Sequence, residues 1–149
     1  MKKFVVLLTL VLLLFGCSNN DAITEVKSEP YSSQEAIRRG DVVFLDKVYN
    51  LEGFDDFIAS LESKNVDSIR VTSYTDEGDP IFKDLQFDGK AISYTYDDSN
   101  DNFGGSNKGI RTDSCSKVVS NENEQGEIDY TVSGCAKNDP EMSYFLFRM

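Results

Sequence analysis

Val66-Asp67-Ser68-Ile69-Arg70-Val71-Thr72-Ser73-Tyr74, then Ile81-Phe82-Lys83-Asp84-Leu85-Gln86-Phe87, then Ile92-Ser93-Tyr94-Thr95-Tyr96 is the stretch on which the fold turns. Its apolar side chains recur with a period of two. Ile69 and Val71 alternate with Arg70 and Thr72, Ile81, Leu85 and Phe87 with Phe82, Asp84 and Gln86, and Ile92, Tyr94 and Tyr96 with Ser93 and Thr95. Glu77-Gly78-Asp79-Pro80 separates the first two runs as a turn, and Asp88-Gly89 between the last two is the favoured pair for a two-residue type I′ hairpin. A loop centred on Gly78 sets Val71 opposite Leu85 and Ile69 opposite Phe87. The Asp88-Gly89 turn sets Leu85 opposite Ile92 and Ile81 opposite Tyr96. One face is then apolar across all three strands, and a one-residue slip would turn it to solvent.

Such a meander needs a lid. Leu51, Phe54, Phe57, Ile58 and Leu61 recur at helical spacing behind Asn50, a good N-cap, while Glu52, Asp55, Asp56 and Glu62 fall largely on the other side. This helix should end near Ser63 to Asn65. Upstream, Ser32 and Glu35 fit a capping box for a short helix over Ser33 to Arg39, which Gly40 stops. Val42 to Leu45 is a short strand or buried connection. Downstream, Asp97 to Gly109 is a polar loop, and strands are expected over about 110–120 and 127–135. Centring that hairpin on Gln125 puts Val118 opposite Val132, Val119 opposite Thr131 and Cys115 opposite Cys135. Met142 to Phe147 reads as a last strand closing the sheet. The expected architecture is α+β: two N-terminal helices packed on one face of a mostly antiparallel five- to six-stranded meander, all within one domain over 32–149.

The N-terminus carries an address. Two lysines precede an apolar run from Phe4 to Phe15 that only Thr9 interrupts, and Gly16-Cys17 ends it. A membrane span needs about 20 apolar residues, so this run is too short. It reads as a secretory signal, 1–16, cut before Cys17, with the Cys17 thiol carrying diacylglycerol; Phe15 stands where such cleavage sites usually carry a smaller residue. Residues 17–31 are polar and read as a flexible tether. The expected location is the extracytoplasmic face of the cell membrane, anchored by lipid. Removal of Lys2 and Lys3 leaves 13 basic against 26 acidic side chains. A net charge of −13 argues against nucleic acid as a partner.

The chain has no histidine and no tryptophan. The usual general base near neutral pH, the commonest transition-metal ligand and the middle member of a Ser-His-Asp site are therefore missing. With Cys17 acylated, Cys115 and Cys135 remain, and outside the cytoplasm such a pair forms a bridge. Two thiolates without histidine make a poor zinc site; a free reactive thiol is the lesser alternative.

Two candidate sites follow. Asp97, Asp98, Asn100 and Asp101 place oxygen ligands close together for Ca²⁺, although the EF-hand template fails: counted from Asp98, position 6 is Phe103 and position 12 is Gly109. Arg70, Tyr74 and Phe82 share the sheet face away from the expected lid, with Tyr74 and Phe82 opposed across the first hairpin. An arginine with exposed aromatics suits a binding surface, and Phe103 adds an aromatic at a loop tip. Asp76, Glu77 and Asp79 read as a solvated turn.

The chain resembles a family of short lipoproteins of Bacillus and related Gram-positive bacteria that is defined only by a domain of unknown function. The resemblance rests on Gly40-Asp41-Val42, Val48-Tyr49-Asn50-Leu51, Ile69-Arg70-Val71-Thr72, Thr75-Asp76-Glu77-Gly78-Asp79-Pro80-Ile81, Asp88-Gly89-Lys90 and the pair Cys115 and Ser133-Gly134-Cys135, and covers roughly Ser32 to Cys135. It implies a Gram-positive envelope setting and no activity, ligand or catalytic residue. The expected role is a non-enzymatic interaction module of the cell envelope, with an unknown envelope protein or small ligand as partner. The alternatives are a cation- or small-ligand-binding protein using Asp97 to Asn102, and a small carboxylate-dependent hydrolase.

Overall fold

Helix capping, strand alternation and one cystine shape the chain. The computed structural model describes residues 27–149; the expected signal, Cys17 and the expected tether as far as Val26 lie outside the described residues. In chain order come α1 (Ser33–Arg39), β1 (Val42–Phe44), β2 (Val48–Tyr49), α2 (Leu51–Ser63), β3 (Asp67–Tyr74), β4 (Pro80–Phe87), β5 (Ile92–Asp97), β6 (Ile110–Cys115), β7 (Lys117–Glu122), β8 (Ile128–Ser133) and β9 (Phe145–Arg148).

Both helices fall where capping and periodicity put them, with one difference in chemistry at each. Ser32 Oγ accepts the Glu35 amide at 3.3 Å, and Gly40 closes α1 at φ +92°. Glu35 does not reach back to Ser32; its carboxylate takes Arg38 and Arg39 instead. Asn50 does not cap α2 with its side chain. It sits in the left-handed region, and its Nδ2 donates to the carbonyls of Ile37 (2.9 Å) and Asp41 (2.8 Å), tying the end of α1 to the start of α2.

The architecture departs from a single meander with both helices on one side. The described residues are mostly β and form two sheets: six strands in the order β2-β1-β3-β4-β5-β6, and three in the order β7-β8-β9. β1 runs parallel to β3, with α2 as the crossover between them. The helices lie on opposite sides of the large sheet. Val42, Val71, Leu85, Phe87, Ile92 and Tyr94 share the main core with Phe54 and Phe57 of α2. Ala36 of α1, Val43 and Phe82 are fully buried but outside that core, and strand alternation points Val43 and Phe82 the other way.

The physical reason for the second sheet is coverage. A helix is about 10 Å across, whereas six strands span about 29 Å. One helix leaves about two thirds of such a face bare. The last three strands therefore leave the large sheet and pack over it beside α2. Phe54 meets Tyr130 (centroids 5.1 Å apart) and Phe147 (4.7 Å), and Tyr94 stacks near Tyr144 (5.7 Å). The departure occurs at Ser116, which divides the single strand expected over 110–120 into β6 and β7.

Registers also shift. β3 and β4 pair Ile69 with Leu85 and Val71 with Lys83, and β4 and β5 pair Leu85 with Tyr94 and Phe87 with Ile92. Each differs from the expectation by two residues, which keeps every side chain on its face. The cause in the second hairpin is Asp88. Its Oδ1 accepts the amides of Lys90 (2.8 Å) and Ala91 (2.9 Å) while its own amide donates to the Ala91 carbonyl (3.3 Å), so the turn centres on Gly89-Lys90 rather than Asp88-Gly89. In the third hairpin Val118 opposes Val132 and Val119 opposes Thr131, as centring on Gln125 requires.

Candidate functional site

The outer face of the large sheet carries Arg70, Thr72 and Tyr74 on β3 and Phe82 and Asp84 on β4. Tyr74 lies opposite Pro80 and Phe82 opposite Thr72, so the two aromatics are not directly opposed. Nor is Phe82 exposed; it is fully buried. The cover is the described end of the expected tether. The Tyr31 ring lies 4.9 Å from that of Phe82, and the Arg39 guanidinium lies 4.3 Å over the Tyr31 ring.

A hydrogen-bond network fastens this strap. Tyr31 donates its hydroxyl to Asp41 Oδ2 at 2.6 Å, and Thr72 Oγ1 donates to the same oxygen at 2.7 Å. Arg70 grips Asp84 with two donors, Nε to Oδ1 at 2.6 Å and Nη2 to Oδ2 at 2.7 Å. It also donates to Tyr31 Oη at 3.3 Å and Ser28 Oγ at 3.2 Å, and its guanidinium lies 4.8 Å over Phe82. Tyr74 donates to the Tyr31 carbonyl at 3.0 Å. Burial raises the pKa of Tyr31, although the Arg70 hydrogen bond pulls the other way. Burial pushes Tyr74 up to about 12. The Asp84 hydrogen bonds raise Arg70 above its already basic range. Tyr31 and Tyr74 therefore keep their protons and Arg70 its charge near neutral pH, as suits a structural fastening.

The strap continues to the acidic loop. The Ser28 amide donates to Asp97 Oδ2 at 3.2 Å, Asn100 Nδ2 donates to the Ser28 carbonyl at 2.9 Å, and Lys27 Nζ to the Ser99 carbonyl at 3.3 Å. The other loop carboxylates turn inward. Asp98 Oδ1 accepts the Gly109 amide at 2.6 Å and Arg111 at 3.4 Å, and Asp101 Oδ1 accepts the Phe103 amide at 2.9 Å. Asp97, Asp98, Asn100 and Asp101 thus serve different donors and do not converge on one point. Phe103 stands 75% exposed at the loop tip, away from the Arg70 network.

Among the described residues the one convergence of metal-type ligands is Asp113, Cys115 and Cys135, whose ligand atoms lie within 4.8 Å of one another. The cysteines are joined as a disulfide. Asp113 is buried and accepts the amides of Ser114, Lys137 (3.0 Å) and Asn138 (3.0 Å) and the Tyr144 hydroxyl (2.7 Å). Burial alone would raise its pKa, but these donors outweigh it and hold the carboxylate below its usual range. It is a clamp on the segment after Cys135.

The strap residues Ser28 and Tyr31, with Asp41 and Asp84, form the network that sequence reasoning missed. One signal was available: an aromatic just before an N-cap is where a hydrophobic staple packs.

The chain belongs to a family described as a domain of unknown function, DUF4362, whose sequence profile matches residues 39–131. That span contains Asp41, Arg70, Tyr74, Phe82 and the acidic loop, and excludes Tyr31 and Cys135. No curated protein and no solved structure matches the chain.

Proposed function

We propose that the protein is a lipid-anchored, non-enzymatic interaction module of the cell envelope, held in one orientation on the outer face of a Gram-positive membrane. The signal 1–16 and the diacylglycerol on Cys17 follow from the sequence, and the resemblance to Bacillus-type lipoproteins agrees with them. The Cys115–Cys135 disulfide suits an oxidising setting. The observation that carries the reading is the strap. Lys27 sits against Ser99, so the chain enters the domain beside the 97–109 loop. Ten residues separate Cys17 from Lys27, a reach of at most about 35 Å. A short anchor at a fixed entry point turns the 97–109 loop, with Phe103, toward the bilayer. The opposite end of β5, with the Asp88–Ala91 turn, then faces outward.

The test is thiol accessibility on intact cells. With the anchor in place, Phe103→Cys should react more slowly with a bulky maleimide than Lys90→Cys. In the Cys17→Ser background the protein should lose its fatty-acid label, leave the membrane fraction and show equal reactivity at both positions. An unmodified N-terminus on the wild-type chain would discard the lipid anchor. Equal reactivity on the anchored chain would discard the orientation.

A further inference from the structure

β7 is an edge strand of the small sheet, and among the described residues nothing pairs with its outer side. The phase of the ladder says which groups are left over. The Asn123 amide donates to the Glu127 carbonyl at 2.8 Å, while Ile128 and Val132 bond toward the β9 side. Odd-numbered residues of β7 therefore turn their backbone toward β8. The N–H and C=O groups of Val118, Ser120 and Glu122 point outward as a row of strand-pairing sites.

The ground beside that edge is polarised. At the start of β7 a groove of about 570 Å³ is floored by Ile58, Leu61, Phe87 and Val118 and rimmed by Lys64, Lys90 and Lys117, with Glu62 the single acid. Among the described residues none of the three lysines has a carboxylate partner. On a chain with a formal charge of −11 this is a local reversal of sign. At the other end of β7 the hairpin tip carries Glu122 and Glu124, likewise without an ion-pair partner among the described residues.

We propose that β7 pairs with β7 of a second copy of this chain, antiparallel about a twofold axis, joining two small sheets into one of six strands. A twofold axis normal to a sheet keeps equivalent side chains on the same face, so the register must pair residues of like parity. The outward backbone groups meet this condition. With Ser120 opposite its own copy, Val118 pairs with Glu122 of the second copy. That glutamate falls on the face where Val118 lines the groove, beside Lys64 and Lys90. Glu124 of the second copy lies one step further along, toward Ser116. Both contacts occur twice, and the acidic tip of each copy sits on the basic groove of the other. A β-branched edge strand with no proline, basic at one end and acidic at the other, is complementary to itself reversed.

The experiment uses the full chain in detergent with a short bis-maleimide. Ser120→Cys should give a covalent dimer, since residues opposed in a hydrogen-bonded pair have Cα atoms about 5.5 Å apart. Asp56→Cys, on the solvent face of α2, should not. Glu122→Lys with Glu124→Lys should weaken dimerisation about tenfold or more, and so should Lys64→Glu with Lys90→Glu. Mixing the two double variants should restore it, because one acid-to-base contact is then native and the other is reconstituted with its sign exchanged. The proposal is overturned if Ser120→Cys crosslinks no better than Asp56→Cys. It is equally overturned if the mixed variants associate no better than each does alone. A twofold axis normal to the sheet reverses β5 between the copies, so their 97–109 loops face opposite ways and the pair joins chains tethered to two facing surfaces. Repeating the crosslink in the Cys17→Ser chain excludes bridging through Cys17.

Discussion

The ammonium of Lys83, on β4, lies 3.2 Å from the carbonyl oxygen of Leu146, on β9. This contact joins the two sheets through the core. Lys83 is 4% exposed, and its remaining contact of this kind among the described residues is the face of the Phe145 ring, 5.7 Å from Nζ. Burial pulls its pKa down to about 8. Its strand neighbours are Val71 and Tyr96. A cation with one carbonyl and one ring face is poorly compensated, so this position limits stability.

Lys83→Met should therefore stabilise the fold at pH 7, by about 1–3 kcal/mol. The sign follows from proton binding. Above pH 8 the unfolded chain holds the Lys83 proton longer than the folded one, so the wild type gains stability as pH rises from about 8 toward 10.5. Near pH 10 the buried tyrosines, whose pKa values burial raises, act in the opposite sense. Urea denaturation of both proteins at pH 7 and pH 9.5 should show the gap between them narrowing. A constant gap would refute the assignment.

Tyr31→Phe keeps the ring on Phe82 and under Arg39 but deletes the hydroxyl shared by Asp41 and Arg70. The expected cost is about 1–2 kcal/mol, as for a hydrogen bond to a charged group. Amide exchange at Ser28 should speed up with it, because Arg70 loses one of the contacts that hold the strap. Unchanged exchange there would mean that the ring alone fastens the segment.

Replacing both Cys115 and Cys135 by serine should lower stability by about 3 kcal/mol, given a separation of 20 residues. Strand content should survive, since each sheet keeps its own ladder. Denaturant midpoints read with and without reductant on the wild type give the same comparison without mutation, and no shift in either would contradict it.

Gly134 stands at φ +66°, and a Cβ built there would lie against the Ser116 hydroxyl. Gly134→Ala should cost more than about 1 kcal/mol from strain and crowding together. Adding Ser116→Gly removes the crowding and leaves the backbone strain, so the double variant should recover part of the loss. Thermal melts of the three proteins separate the two contributions.

The three-stranded centre of the fold was legible because alternation at Ile69/Val71, Leu85/Phe87 and Ile92/Tyr94 reports a buried face whatever the register. Turn chemistry then moved the pairing by two. Asp88 bonding to Lys90 and Ala91 is a side-chain choice that competes with the tight Asp-Gly turn. The second sheet was hidden because Lys117 to Glu122 alternates as well in a small sheet as in a large one. Only the width of the face to be covered decides between them. The strap was hidden more thoroughly. Residues 28–31 are polar or turn-forming apart from Tyr31, and their partners are scattered from Asp41 to Asn100. In the acidic loop composition allowed a shared cation; the observed geometry gives Asp97, Asp98 and Asp101 a separate backbone amide each.

Ser28 is synthesised before nearly everything it binds: Asp97 and Asn100 follow 69 and 72 positions later. Its docking site does not exist until β3, β4 and β5 have assembled. The first part of the domain to be made is thus the last to settle, and a nascent or stalled chain would present Phe82 bare where the finished one presents a closed seam.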